Sequence, residues 1–337
     1  MLHTTRIASS VDFAREGIQH GFLRLPHSTH ESAYGWIPIP IVVMANGTGP
    51  SILLMAGNHG DEYEGQIALM KLLRSLEAHD VAGRLIILPA ANFPAVMAGR
   101  RVSPIDGGNL NRSFPGNANG TPTEMMAHYI ESVLLPLCQY CIDVHSGGSS
   151  LEYVAHAHAR RHAEPEMRDR TVAMLAAFGA PYGGLVKPLQ SEPRTMSAAA
   201  ERAGIIYLNV ELGGGGTVSH ELVTLAEQGI RRALAHLGVL RRAPEEPPQA
   251  TRYFSVEGPA NYVYCLDPGL FEPLAGLRQV VEPGETAGVI HFPDTPWRAP
   301  VPVTFERGGI VLCRRFPGWA RRGDCLYQLG TPVAEAA

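Results

Sequence analysis

Residues 51–70 read SILLMAGNHGDEYEGQIALM, and the pattern changes twice within them. SILLMAG is a short run rich in Ile and Leu, too short for a buried helix and suited to a strand covered on both faces. A glycine-containing turn follows. Residues 61–79 then carry Leu69, Leu72, Leu73 and Leu76 at helical spacing, and Asp61 with Glu64 has the D-x-x-E form of a capping box. A strand that turns into a helix is the repeating unit of α/β folds.

The same alternation reaches residue 240. IPIPIVVMA, RLIILPA, YCIDVH and IIYLNVEL are further strand-like runs, GFLRLP adds an extra strand near the start, and residues 123–135, 165–178, 195–203 and 217–238 read as helices. This predicts an α/β domain over 1–240 with a mixed, largely parallel central sheet flanked by helices. Residues 241–251 open with the charged, Pro-rich RRAPEEPPQA and read as a linker. Over 252–337, short β-like pieces (YFSVEG, NYVYCL, RQVV, AGVIHF, GGIVLCRR) alternate with Pro and Gly, which predicts a smaller C-terminal all-β domain. Its segment VVEPGETAGVIHF resembles the hairpin of barrel-sandwich domains that carry lipoate or biotin. Residues 250–337 contain no lysine to serve as acceptor, so a barrel-sandwich-like cap is expected in place of a carrier.

Composition narrows the function classes. The chain has 337 residues, 45% of them hydrophobic and 18% charged, enough for a large core and about two domains. Lys+Arg 28 against Asp+Glu 32 gives a net charge of −4, which argues against a nucleic-acid or anionic-membrane partner. The N-terminal residues lack the apolar stretch of a secretory signal, and the uncharged run around 32–60 is broken by Pro38, Pro40 and Pro50. Five cysteines, an odd number, suit free thiols in a reducing compartment. Cys138 and Cys141 have redox-motif spacing but lie in an apolar stretch, where buried structural thiols are expected. A cytoplasmic enzyme is the resulting expectation.

His59 and Glu62 follow the first strand in H-x-x-E spacing, at the carboxyl end of a strand where α/β sheets collect ligands. An imidazole and a carboxylate so placed can share a zinc ion; the same spacing also occurs at a capped helix start. His145 in CIDVHSGG likewise ends an apolar strand before a glycine turn and is the best third ligand. Asp143, two residues earlier and on the same strand face, either accepts the free N–H of a metal-bound imidazole or is a structural buried carboxylate. His156, His158 and His162 fall in an Arg- and Ala-rich stretch read as a solvated loop or helix start. His220–Glu221 lacks the second histidine of a zincin, since Thr224 stands there. Glu211 ends IIYLNVEL before four glycines, placed either as a general base or as a structural carboxylate. Asn111 and Arg112 in NLNRSFPG can grip a carboxylate, and Arg100 and Arg101 can stabilise an oxyanion.

Taken together, GNHGDE, LNRSFPG, DVHSGG and VELG, in this order, resemble the succinylglutamate desuccinylase and aspartoacylase family, a branch of the carboxypeptidase A-like zinc hydrolases. The resemblance spans roughly residues 35–335. It implies a zinc-carboxypeptidase-like fold and one Zn²⁺ per chain on His59, Glu62 and His145. Glu211 would take a proton from the attacking water and return it to the leaving amine. Arg101, with Arg100 as its rival, would stabilise the oxyanion, and Asn111 with Arg112 would hold the α-carboxylate of a small N-acyl amino acid. The longer strings GNHGDEYEGQIAL, RVSPIDGGNLNRSFPG, PTEMMAHYIESVLLP, DVHSGGSSLEY and ELGGGG resemble most the subgroup that deacetylates N-α-acetyl-L-2,4-diaminobutyrate in ectoine breakdown. Glu152 could then face the cationic side chain, or Arg194 could serve an acidic one. A deacylase of the aspartoacylase or desuccinylase type and a metallocarboxypeptidase are the alternative readings, the latter disfavoured by a cap closing its groove. A binding protein without metal and a redox protein are the readings from other classes. A homodimer is the default for an enzyme of this size.

Overall fold

The strand-like runs become strands because both of their faces can be buried. Ile52 and Leu54 enter one apolar core, while Leu53 and Met55 enter a second core on the opposite side of the sheet. The computed structural model describes residues 5–186 and 192–334.

The strands of the first two-thirds of the chain are β1 (Ala8–Ser9), β2 (Gly17–Pro26), β3 (Trp36–Asn46), β4 (Ser51–Ala56), β5 (Gly83–Leu88), β6 (Tyr140–His145), β7 (Leu151–Arg160), β8 (Tyr182–Val186) and β9 (Ile206–Gly214). The remainder are β10 (Arg252–Ser255), β11 (Tyr262–Tyr264), β12 (Gly269–Pro273), β13 (Val280–Val281), β14 (Thr286–His291), β15 (Val301–Thr304), β16 (Gly309–Arg315), β17 (Trp319–Ala320) and β18 (Cys325–Pro332). The helices are α1 (Tyr63–Ser75), α2 (Phe93–Ala98), α3 (Pro122–Tyr129), α4 (Pro165–Phe178), α5 (Met196–Arg202) and α6 (His220–His236).

A fourteen-stranded sheet runs β1-β2-β3-β5-β4-β6-β9-β7-β8-β10-β18-β16-β13, with β11 on β18. It is mixed, and the expectation of a largely parallel sheet is corrected here. The pairs β5–β4, β4–β6, β6–β9, β7–β8 and β8–β10 are parallel, and the others are antiparallel. Apolar periodicity is the same for both directions, so it carries no signal of strand sense. Pro38 and Pro40 sit where β3 pairs with β2 alone, because its pairing to β5 begins at Val42. Helices α1, α4 and α6 cover one face, and α3 and α5 cover the other. The helical pattern over 123–135 resolves into α3 followed by a wider turn at Ile130–Leu134 and a tight one at Leu135–Leu137.

Residues 241–251 carry no helix or strand. Beyond them, β12, β14, β15 and β17 form a separate four-stranded sheet, whereas β10, β16 and β18 continue the large sheet. The first half of β7 pairs with β16 and its second half with β8, so β7, β8, β10, β18 and β16 close on themselves. Val154, Phe254, Val256, Ile310 and Leu312 fill that closure. The C-terminal strands are therefore seated against the strand that leaves His145. No helix among the described residues is long and apolar enough to cross a membrane.

Candidate active site

Strand register sets out the site as rows of side chains. His145 on β6 lies opposite Glu211 on β9, and Glu211 lies opposite His156 on β7. Two residues earlier along β6 and β9, Asp143, Asn209 and His158 form a second row on the same face. Tyr207 of β9 precedes that row on the same face. His59 and Glu62 arrive from the turn after β4, the parallel neighbour of β6.

His59, Glu62 and His145 are buried and offer ligand atoms that all lie within 4.8 Å of one another. Glu62 Oε1 is 2.6 Å from His59 Nδ1, and its Oε2 is 2.8 Å from His145 Nδ1. The far nitrogen of each ring is held: His59 Nε2 by Asn109 Oδ1 at 3.1 Å, and His145 Nε2 by Asp143 Oδ2 at 2.8 Å. Both rings can thus donate from Nε2 and turn a lone pair at Nδ1 toward the same point. Two imidazoles and one carboxylate form a donor set that suits zinc and leaves a coordination position open. Asp143 is itself fixed by Tyr207 Oη at 3.1 Å and Asn58 Nδ2 at 3.3 Å.

Burial works against the charge on Glu62, yet His59 and then His145 hold it below the usual carboxylate range. Burial likewise opposes a charged His145, and Asp143 and Glu62 outweigh it and raise that imidazole well above its ordinary value. At Glu211 burial dominates and pushes the carboxyl up to about 8. Its Oε1 accepts from Asn209 Nδ2 at 3.1 Å, while Oε2 has no partner among the described residues. Arg101, 43% exposed at its side chain, reaches Glu62 Oε1 at 3.5 Å, whereas Arg100 contributes its carbonyl to Gly60 N. Of the two arginines, Arg101 is the one whose guanidinium reaches the cluster.

The capping box expected of Asp61 and Glu64 does not form, and α1 begins at Tyr63 without a side-chain cap. Asp61 Oδ2 instead accepts from Ser149 N and Ser149 Oγ, both at 2.8 Å, and Glu64 Oε1 accepts from Ser219 N at 3.3 Å. These carboxylates tie the turn after His145 and the start of α6 to the His59 turn. The turn after β6 also touches the end of β9, through Gly147 N to Gly213 O at 3.0 Å. A side chain at Gly147 would strike the carbonyl of Leu151, so close approach requires glycine there.

A cavity of about 290 Å³ opens beside Glu211. Asn111 and Arg112 form one side, and Val256, Tyr262 and Gln328 of the C-terminal region contribute another. Asn111 is anchored by accepting from Met196 N at 2.8 Å, and Arg112 Nη1 donates to Asn111 O at 2.7 Å. Glu152 is not among the lining residues: its Oε2 accepts from Arg314 Nε at 3.0 Å and Nη2 at 2.8 Å. Arg194 is chelated by Glu192 at 2.8 and 3.0 Å.

The stretch read as a solvated loop is strand β7, with His156 buried and His158 lining the cavity. The error has a physical origin: arginines at 160 and 161 hide an alternating pattern whose inward face is polar because it lines a site. Asn58, Asn109, Tyr207 and Asn209 were also not singled out from the sequence. Only the N-H-G and N-L-N-R-S contexts hinted at the two first-named residues. Cys138 and Cys141 are buried, and burial pushes the Cys138 thiol up to about 12. That matches structural thiols and leaves neither as a reactive thiolate.

Asp106 carries the Asn109–Arg112 loop. Its carboxylate accepts from Thr123 N at 2.8 Å, Thr123 Oγ1 at 2.9 Å and Gly108 N at 3.0 Å. Burial opposes the charge, but the Thr123 N–H leads the bonds that hold this carboxyl below its usual range. Asp106→Asn is expected to cost about 1 kcal/mol at pH 7, with solvent screening already discounted. A depressed folded-state pKa stabilises above the unfolded value and loses that contribution as pH falls through the folded one. Urea unfolding should therefore show the difference shrinking below about pH 4. An equal difference at pH 7 and pH 3 would contradict the assignment.

Comparison with known proteins identifies relatives of the chain. Residues 48–237 match the succinylglutamate desuccinylase/aspartoacylase catalytic domain. The chain is 42% identical over 327 residues to an N-alpha-acetyl-L-2,4-diaminobutyric acid deacetylase of Halomonas elongata, covering 97% of this chain and 95% of that protein. It superposes with TM-score 0.93 on the product-bound ectoine utilization protein EutE (DoeB) of Ruegeria pomeroyi, at 39% identity and covering 98% of this chain and 99% of that one. A succinylglutamate desuccinylase/aspartoacylase from Rhodobacter sphaeroides gives TM-score 0.92 at 40% identity, over 98% and 100% of the respective chains.

Proposed function

The chain belongs to the succinylglutamate desuccinylase/aspartoacylase family, and from that premise we propose that it removes the acetyl group from N-α-acetyl-L-2,4-diaminobutyrate, a step of ectoine degradation. It is a hydrolase of N-acyl amino acids. His59, Glu62 and His145 would hold the metal ion, which we take to be one zinc per chain. When bound, such an ion polarises the amide carbonyl and acidifies water beside it.

The protein's own groups supply the rest. Glu211 has a buried carboxylate oxygen that is free of partners among the described residues and in register with His145. It takes the proton of the attacking water and delivers it to the departing α-amine. The Arg101 guanidinium faces the carbonyl oxygen as charge develops there. Arg112, steadied through Asn111, binds the α-carboxylate and aligns the amide with Glu211. The reading also includes a cytoplasmic location, a homodimer, and residues 252–337 acting as a cap over the cavity.

The observation that carries the substrate class is the inventory of guanidinium groups. Among the described residues lining the cavity, Arg112 is free to take a carboxylate, whereas Arg160 is consumed. Arg160 donates to Ser197 Oγ at 3.0 Å, Glu201 Oε2 at 2.7 Å, Thr195 Oγ1 at 3.2 Å and Glu192 O at 3.4 Å. One free guanidinium suits a substrate with one carboxylate. N-acetylaspartate has two and N-succinylglutamate three, and each extra carboxylate would be desolvated without a partner.

Acetate or succinate release by metal-replete protein, with the metal quantified in the same sample, tests this. Turnover of the diaminobutyrate compound at least ~10²-fold above both acidic substrates, abolished by chelation, is the expected result. Turnover on the acidic substrates alone would discard the substrate. Protein that binds no metal even after zinc addition would discard the chemistry.

A further inference from the structure

A site that prefers a cationic side chain normally faces it with a carboxylate, and here the glutamates around the cavity are committed elsewhere. Glu152 is closed by Arg314 and Glu192 by Arg194, Glu201 neutralises Arg160, and Glu211 is reserved for the proton. The cavity offers an uncharged acceptor instead. His158 lines it, makes no hydrogen bond to any described residue, and has its Nδ1 buried without a partner.

We propose that His158 determines specificity by accepting a hydrogen bond from the distal ammonium of the substrate, with the imidazole of His156 holding its ring in place. This rests on the diaminobutyrate reading above and says how that side chain is chosen. Three features support it.

The first is distance along the sheet. His158 pairs with Asn209, two residues from Glu211, so its row lies about 7 Å from the row that holds the reacting amide. Two methylenes, a nitrogen and one hydrogen bond span about the same length.

The second is orientation. His156 Nδ1 donates to Val154 O at 3.0 Å, which fixes that ring, and the two imidazoles stack at 5.3 Å with 22° between their planes. Opposite His158 on β8 stands Gly184. A side chain at Gly184 would collide with the carbonyl of Phe254 on β10.

The third is charge state. Burial, followed by the neighbouring His156 and His145, keeps the His158 imidazole well below its ordinary pKa. A neutral ring retains a lone pair for an ammonium, whereas a protonated one would repel it.

Calorimetric titration of the zinc-loaded protein with L-2,4-diaminobutyrate and with L-2-aminobutyrate, the same skeleton without the distal amine, tests the assignment. Wild type should bind the diamino acid about 10–100-fold more tightly, the range of one hydrogen bond to a charged group. His158→Phe should erase that preference while leaving 2-aminobutyrate affinity unchanged, which also reports an intact site. His158→Gln, which keeps an acceptor, should recover part of it. A preference that survives in His158→Phe would overturn the role of His158 and leave the substrate standing. Equal weakening of both ligands would reduce His158 to a structural residue. Wild type without any preference would sink the diaminobutyrate reading together with this one.

Discussion

Replacing Glu211 with Gln is expected to lower kcat by about 10²–10⁴-fold, with KM changed little and metal content unchanged. The substitution conserves shape and keeps an oxygen to accept from Asn209 Nδ2, so the strand register that seats His145 beside position 211 should persist. What it removes is the proton acceptor. In the native chain burial drives the carboxyl up to about 8, which marks a site where a proton is held readily once taken. A cation at the neighbouring trio would pull that value down, toward the range in which a base is available at neutral pH. Steady-state kinetics alongside metal analysis separates the possibilities. A kcat within tenfold of wild type at full metal occupancy would remove Glu211 from the proton transfer.

The four residues proposed to carry the chemistry were readable from the sequence for one common reason. His59, Glu62, His145 and Glu211 each stand at or just after the carboxyl end of an apolar run that is followed by glycine, and a parallel sheet brings such ends together. Their supporting groups were not readable, because their partners are remote in sequence. Asn109 meets His59 across fifty positions, and Asp61 meets Ser149 across eighty-eight. Asp61 and Glu64 carried a local signal that pointed to a helix cap, and the tertiary contacts outweighed it. His156 and His158 depend on the antiparallel register of β7 against β9, which composition hides behind two arginines. Strand direction was equally hidden, so the sheet emerged more antiparallel than its apolar runs suggested. The C-terminal strands read correctly as β-rich, but their continuation of the large sheet through β10 and β16 depends on pairings that no local pattern encodes.

Glu62→Gln should have the other large effect, and its comparison with Asp143→Asn separates a metal ligand from the group behind one. Glu62 is the anion between the two imidazoles, and it also accepts from Ser146 N at 3.2 Å. Gln keeps the size but removes the charge that favours a divalent cation there, and it leaves Arg101 facing the site without its carboxylate. Metal per chain after dialysis against a competing chelator should fall to a small fraction of wild type. Activity should fall by about 10³-fold or more, since polarisation of the carbonyl is worth several kcal/mol. Asp143 acts one bond further out: it orients His145 through Nε2 and is shared with Tyr207 and Asn58. Asn at 143 preserves an acceptor for that N–H, so a loss of about 10–100-fold in metal affinity is expected. The order matters more than either value. Were Asp143→Asn to lose more metal than Glu62→Gln, the ion would sit on the far side of His145, toward Asp143, and the trio assigned here would be wrong.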